Sequence, residues 1–348
     1  MAVAPRILMQ PTSAPRFTYV LPLRSEQSVA NTELTSYLAW IAARAETIVV
    51  DGSPTPVFDA HASAWGHMVR HVAPAPDLAT PMGKVGGVLT GVRLASHDCL
   101  IIADDDVRYD DSSMEGMIHG LGSADVVRPQ NYFFPLPWHA CWDMGRSLLN
   151  RLHGGDWPGT LGVRRSVLLR AGGYDGSAMF ENLELVRTIV AAGGREVAPL
   201  DVFVARRPSS TRHFLSQRVR QAYDELARPG RLAWQLAVLP VTAASIALAG
   251  WIALGAIAVG VALLAEAGRQ RAGGARYFPV RASLLAPAWL AERAVCSWLA
   301  LGSRVLFGGV RYRGTVLRHA ATPLRVLRAR HAAAPATSLT PAAPRRSA

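Results

Sequence analysis

The chain has 348 residues, half of them hydrophobic, and a net charge of +12. That length holds one or two domains with a sizeable core. Up to Ala265 the 23 basic and 23 acidic residues cancel, and beyond it 14 arginines face only Glu266 and Glu292. A surplus confined to a segment beside apolar sequence points to an anionic lipid surface, and the sparse aromatics there exclude nucleic-acid binding. Cys99, Cys141 and Cys296 lie far apart, which excludes a disulfide framework and a C-x-x-C zinc site. Residues 1–16 carry no long apolar core and do not read as a signal peptide.

In chain order, Phe-Thr-Tyr-Val-Leu-Pro-Leu at 17–23 forms a β-rich run. A helical pattern follows through Leu34, Tyr37, Leu38 and Ile41, then a buried strand, Thr47–Val50, ends at Asp51-Gly52-Ser53. Strand, helix, strand at this spacing predicts a βαβ unit and a parallel sheet. An acid at that strand end is placed to bond a ribose or a base edge. The same Asp-Gly pair also reads as an ordinary turn. Gly83-Lys84-Val85-Gly86-Gly87 opens a helix running to Ala95. Such an entry can hold phosphate, although Walker spacing is absent.

The apolar run Leu100–Ala103 then stops at Asp104-Asp105-Asp106. Carboxylates at the end of a buried strand lie where open α/β sheets bind ligands. Alternation points Asp104 and Asp106 the same way, a pair of hard oxygen donors suited to Mg²⁺ or Mn²⁺. A solvated acidic turn has the same appearance. Between Asn131 and Gly159 lie Tyr132, Phe133, Phe134, Trp138, Trp142 and Trp157. They read as core packing or as a wall for a sugar or lipid acceptor, with a helix from about Ala140 to Leu152. Asp143, His153 and His213 read first as surface residues. Glu181–Leu185 starts an amphipathic helix that Gly193-Gly194 stops.

Six segments in this order carry a resemblance: Pro22-Leu-Arg-Ser-Glu26, Val49-Val-Asp-Gly-Ser53, Gly83-Lys84 with its helix leading to Ala103–Asp106, Gly172-Gly-Tyr-Asp175, Phe180–Leu185, and Gln217-Arg-Val-Arg220. Over roughly 17–231 the chain resembles glycosyltransferase family 2, with the α/β GT-A fold. The resemblance implies inverting transfer from a nucleotide-sugar, a UDP-sugar first and a GDP-sugar as the other choice. It gives Asp104 and Asp106 the divalent ion, Mg²⁺ or Mn²⁺, held with the donor diphosphate. Asp105 touches the ribose or is structural. Pro22, Glu26, Asp51, Gly52 and Ser53 take the nucleoside side. Lys84, Gln217, Arg218 and Arg220 take the diphosphate side, with membrane-surface charge as the competing role for the two arginines.

Asn182 stands where that family has its catalytic aspartate. An amide accepts no proton near pH 7. The base is therefore expected at Glu181 or, less directly, at Glu184. Alternatively the acceptor is a phosphate and needs no base, as in a polyprenyl-phosphate sugar synthase, or the protein is an inactive membrane-bound nucleotide-sugar binder.

Leu232–Ala265 carries no charge over 34 residues. As one helix it would be roughly 51 Å long, against a hydrocarbon core of ~30 Å. Arginines flank both ends, which predicts a helical hairpin returning to the cytoplasm and bent near Gly250 or Gly255. In 283–307, Glu292, Arg293, Ser297, Ser303 and Arg304 share one arc and Leu290, Val295, Trp298, Leu299, Leu301, Val305 and Leu306 the other, an amphipathic interfacial helix. From Arg325 the composition predicts disorder. The expected organisation is a catalytic domain at 1–231, a hairpin at 232–266, a basic segment with its interfacial helix at 267–324 and a tail at 325–348. The expected setting is the cell membrane, with a cytoplasmic catalytic domain and a lipid or lipid-linked acceptor.

Overall fold

The computed structural model describes residues 17–27, 31–312 and 315–333. Strand β1 (Thr18–Leu23) is buried on both faces, as the middle of a parallel sheet requires. Helix α1 (Thr32–Ala42) is capped by Asn31, whose side chain accepts from the Glu33 and Leu34 amides, and it buries Leu34, Tyr37, Leu38 and Ile41. It leads to β2 (Glu46–Asp51), which pairs in parallel with β1 from Thr18 opposite Glu46 to Leu23 opposite Asp51. Helix α2 (Thr55–Trp65) and β3 (Arg70–Val72) extend the sheet outward.

Helix α3 (Gly83–Leu94) then crosses back, and β4 (Cys99–Ala103) pairs in parallel with the other side of β1. A Cβ at Gly91 would lie 2.3 Å from Val20 Cγ1, so only glycine lets α3 settle this close to β1. The close seating brings Lys84, in the first turn of α3, over the strand ends. Strand order reverses between β1 and β4, and the crevice beyond their carboxyl ends is where such sheets bind ligands.

Next come β5 (Val107–Arg108), α4 (Asp111–Leu121), β6 (Val126–Val127), β7 (Gln130–Phe133) and α5 (Trp138–Asn150). Then follow β8 (Thr160–Arg164), α6 (Arg165–Arg170), α7 (Glu181–Ala191), β9 (Glu196–Val197) and β10 (Phe203–Arg206). The main sheet runs β3-β2-β1-β4-β8-β6-β9, and β5-β10-β7 form a small second sheet at its edge. β8 is antiparallel to β4. One core face joins Leu38, Ile41, Trp65 and Met117; the other joins Val85, Val88, Leu168 and Ile189. This is the α/β architecture that the sequence implies.

Short helices α8 (Thr211–Ser216) and α9 (Arg218–Tyr223) lead to α10 (Pro229–Ala249) and α11 (Trp251–Gln270). Gly250 breaks the pair with φ +67° and ψ −165°, a conformation open to glycine alone, so the bend falls at the first of the two expected glycines. Leu248, Trp251 and Ile252 are exposed. Burying such a side chain contributes about 1.5–3 kcal/mol, which a lipid environment would supply and the protein here does not. α10, α11 and α12 (Val280–Phe307) are each long and apolar enough to cross a membrane.

α12 corrects one expectation. Most of the polar face does not meet water, although Arg304 is exposed, and Leu290 of the apolar face is buried. Ser283, Arg293 and Ser297 are buried against the rest of the chain, while Val295, Trp298, Leu299, Val305 and Leu306 are exposed. α12 packs along α5, α9, α10 and α11. A second correction concerns the tail. Residues 319–322 return to the catalytic domain, where the Met179 and Phe180 amides donate to the His319 and Ala320 carbonyls at 2.9 and 2.8 Å. Helix α13 (Leu324–Ala333) then packs on α7 with Leu327 buried, so the expected disorder does not begin at Arg325. The rest of that expectation, 334–348, lies outside the described residues.

Candidate active site

The aspartate triplet follows β4 directly. The Asp104 amide donates to the Gly159 carbonyl at 2.9 Å, and the Val107 amide donates to the Asp104 carbonyl at 3.1 Å. This tight turn leaves Asp105 exposed and holds the other two on one side. Arg206, at the end of β10, meets both: Nη2 lies 2.6 Å from Asp106 Oδ2 and 3.7 Å from Asp104 Oδ2. Lys84 Nζ lies 2.5 Å from Asp104 Oδ1 and also pairs with Glu181. A cation line thus links Glu181, Asp104 and Asp106. Burial alone would depress the Lys84 pKa, but Asp104 and Glu181 outweigh it and hold the amine well above its ordinary value. Lys84 therefore stays charged at any physiological pH.

Asp104 stands between two cavities. One, of about 500 Å³, lies over the ends of β1, β2 and β4 and is lined by Pro22, Gly52, Lys84, Asp104 and Asp105. The other, of about 260 Å³, is lined by Asp104, Glu181, Asn182, Arg220 and Asp224 among others. Asp104 and Asp106 pass a simple test of fit for a divalent ion. Their oxygens converge on one positive centre, the Arg206 Nη2, and carboxylate oxygens are the donors Mg²⁺ and Mn²⁺ prefer. Space is tight: a Cβ at Gly159 would lie 2.8 Å from both Asp104 Oδ2 and the Arg206 guanidinium carbon.

Five residues named from sequence therefore gather around one cavity, and Asp104, Glu181, Asn182 and Arg220 share the next. Gln217 supports this second group, because its Oε1 accepts from Arg220 Nη1 at 2.8 Å. Ser53 shapes the loop rather than the wall: its Oγ accepts from the Ser25 amide at 2.9 Å. Glu26 is exposed and lies 3.8 Å from Arg24, outside both linings.

Four expectations meet a different geometry. Asp51 is fully enclosed, with Oδ2 at 2.7 Å from His61 Nδ1 and 3.1 Å from His71 Nε2, and Oδ1 accepting from the Ser53 amide at 2.9 Å. Burial opposes the charge, yet bonds from His71, Ser53 and His61 hold this carboxyl well below the usual range. It faces protein rather than the cavity. These three side chains could also surround a metal ion, but hydrogen bonds already satisfy the carboxylate.

Arg218, expected at the diphosphate, is buried and paired with Asp143 at 2.7 Å and with Glu292. It fastens α9 to α5 and α12. Asp143 is accordingly buried and not a surface residue, whereas His153 and His213 are exposed as read. Glu184 is fully buried and accepts from the Thr322 amide at 2.6 Å, so it cannot reach an acceptor. Glu181 faces the cavity, but its carboxylate is held by Lys84. Asn182 uses its amide, whose Nδ2 donates to the Pro158 carbonyl at 3.0 Å.

Sequence reasoning missed Arg206 and Asp224. From sequence, Arg206 reads only as one of the arginines that precede the apolar run. Asp224 lies within the stretch of resemblance, four residues past Arg220, but in none of its six segments. The aromatic segment divides: Trp157 lines the smaller cavity and packs edge-on against Phe180 at 5.0 Å, Trp142 donates to Glu292 at 3.2 Å, and Phe134 and Trp138 are exposed.

No protein-family model matches the sequence, and no characterised protein matches it by sequence. Among solved structures, the mannosyltransferase PcManGT from Pyrobaculum calidifontis, in complex with GDP-Man and Mn²⁺, aligns with TM-score 0.47 and 19% identity over 83% of this chain and 88% of that one. Mannosyl-3-phosphoglycerate synthase from Rubrobacter xylanophilus aligns with TM-score 0.39 and 14% identity over 58% and 70% of the two chains. S. aureus TarS aligns with TM-score 0.40 and 13% identity over 61% and 40%.

Proposed function

We propose that this chain is a metal-dependent, inverting glycosyltransferase that moves a sugar from a nucleotide-sugar, a UDP-sugar in the first instance, to a lipid or lipid-linked acceptor at the cytoplasmic face of a membrane. The observation that carries this reading is the placement of Asp104. It lies at the switch point of the sheet, between a cavity suited to the donor and a second one suited to the acceptor, with Asp106 beside it.

The donor nucleotide fits over Pro22 and Gly52, with its diphosphate toward Lys84. Lys84 meets the phosphate charge with a fixed ammonium. A divalent ion on Asp104 and Asp106 would offset the charge that grows on the departing diphosphate. Arg206 keeps the two carboxylates aligned. The transferred sugar would then project past Asp104 into the smaller cavity. α12 forms one wall there through Arg293, and its outer face is apolar, so an acceptor with a lipid tail would approach from that side.

A phosphate acceptor is the second reading, favoured by one observation. The Nε–H groups of Arg146, Arg228 and Arg293, all lining the smaller cavity, are buried without a hydrogen-bond partner among the described residues. A donor screen on the purified membrane-bound protein tests the main reading. UDP- and GDP-sugars are supplied with Mn²⁺, and product mass is measured after lipid extraction. Donor binding with a glycosylated lipid supports it; no binding of any nucleotide-sugar would sink it.

A further inference from the structure

The smaller cavity has five acidic residues on its wall, and the structure distinguishes them by what they already hold. Asp156 accepts from Arg146, Ser147 and Asn150, each at 2.7 Å. Glu225 pairs with Arg228 at 2.9 Å and Arg231 at 3.1 Å. Asp104 and Glu181 share Lys84. A carboxylate held by a cation is a weak base, because the cation stabilises its charged form. Asp224 differs in how it is held: its Oδ1 is buried without a hydrogen-bond partner among the described residues, and although Glu225 Oε2 is too, the Glu225 charge is fixed by two arginines on Oε1.

We infer that Asp224 is the general base of the transfer, taking from an acceptor hydroxyl the proton that Asn182 cannot take; this rests on the glycosyl-transfer reading above. The Asp224 carboxylate removes the hydroxyl proton as the acceptor oxygen bonds to the anomeric carbon. The bond from that carbon to the diphosphate oxygen breaks, and its electron pair leaves with the nucleoside diphosphate. The proton on Asp224 then passes to solvent through the open cavity.

Two further features agree with this role. Asp224 is held in place: it follows α9, which Arg218 fastens to Asp143 and Glu292, and the neighbouring Tyr223 hydroxyl donates to the Arg318 carbonyl at 3.0 Å. Its proton affinity also suits the task. Burial pushes its pKa up to about 7, against the pull of Arg220 and Arg228 and with the push of Glu181 and Glu225. The other charged groups on the wall are Arg231 on Glu225, Arg146 on Asp156, Arg206 on Asp104, and Arg293 bonded to Gln221 at 3.4 Å. A base with its pKa near the working pH is ionised often enough to act and still basic enough to take a proton.

The experiment uses the full-length membrane-bound protein with Mn²⁺ and whichever of UDP-glucose or GDP-mannose binds. Water serves as the probe acceptor, and release of nucleoside diphosphate is followed from pH 5 to pH 9, with calorimetric donor affinity measured alongside. Wild-type turnover should rise with pH through about 7, because the base acts only when ionised. Asp224→Asn should lower turnover roughly a hundredfold or more and remove that rise, with donor affinity unchanged. Asp224→Glu should keep a rising limb displaced from that of the wild type. Turnover of Asp224→Asn within a few-fold of wild type, with the rise intact, overturns the assignment while donor binding preserves the glycosyltransferase reading. If Asp224→Asn loses donor affinity, Asp224→Glu decides: a displaced limb supports the role and an unmoved limb overturns it. A wild type that binds neither nucleotide-sugar overturns both.

Discussion

Two aspartates end the strands on either side of β1 in one sheet and differ in what surrounds them. Asp51 closes β2 and Asp104 follows β4, each on a strand paired with β1. Asp51 is enclosed by His61, His71 and the Ser53 amide. Asp104 meets Lys84 and Arg206 on the walls of two cavities. Position at a strand end brings a carboxylate near the ligand crevice. Whether it serves the ligand depends on which donors reach it first. Imidazole rings packed beneath a loop make a support; cations beside open space leave a charge that a ligand or metal can claim.

The comparison breaks most visibly at Asp104. Changing Asp104 and Asp106 together to Asn should abolish Mn²⁺-dependent nucleotide-sugar binding, a loss of at least about a hundredfold in affinity, in calorimetry. Retained affinity in the double variant would remove the metal pair from the reading.

Arg218 tests the same distinction between support and site, since it also donates to Gln221, on the wall of the smaller cavity, at 3.0 Å. Arg218→Gln would leave Asp143 and Glu292 without their shared guanidinium. Removing one member of such a buried set costs about 3–5 kcal/mol. The expected result is a large fall in thermal midpoint. Donor affinity measured below that midpoint should stay near wild type. A selective loss of donor affinity with an unchanged midpoint would restore the diphosphate role expected from sequence.

Asp51→Asn sharpens the comparison further, with a smaller effect. The variant loses charge-assisted bonds worth about 1–3 kcal/mol, and nucleotide affinity should change little. The pH dependence has a definite sign. The Asp51 carboxyl is held below its unfolded value of about 3.9. Its contribution is therefore fully present above that pH and is lost as pH falls through the folded pKa. The stability gap between wild type and Asp51→Asn should be constant near neutrality and narrow in acid below about pH 4. A gap that persists unchanged at low pH would mean that the charge is not what stabilises the loop.

These cases show what could be read from the chain and what could not. The βαβ unit, the strand ending at Asp104 and a bend near Gly250 or Gly255 follow from short-range patterns: period, apolar run length and glycine near the middle of a long run. The fate of Asp51 depends on His61 and His71, brought in by α2 and β3. Arg218 depends on Glu292, on a helix late in the chain, and Glu184 on Thr322, which lies later still. No local pattern carries such partners. The amphipathic pattern of α12 identified two faces but not what each would meet, and the protein claimed the polar one. α13 has too little apolar surface to fold alone; α7 supplies the surface that buries Leu327.

The hairpin gives the gentlest test, since it leaves both aspartate sites untouched. Gly230 lies in the first turn of α10 and Ala275 five residues past the end of α11, and both are exposed. A Cβ at Gly230 meets nothing within 4 Å, so cysteine there should be tolerated. Of the native cysteines, Cys141 and Cys296 are buried and Cys99 is half-buried, so a Cys99→Ser background removes the competing thiol. In sealed vesicles, single cysteines at 230 and 275 should react with a membrane-impermeant reagent from the same side, the side that also presents the catalytic domain to added nucleotide. Gly250→Ala should preserve that sidedness while costing about 1–3 kcal/mol, because an alanine there must hold a conformation only glycine adopts freely. Labelling of the two positions from opposite faces would make 232–265 a single crossing. α12, which packs against both the catalytic domain and α11, would then have to lie on both sides of the membrane at once. Its continuous contacts with α5, α9, α10 and α11 argue for one side.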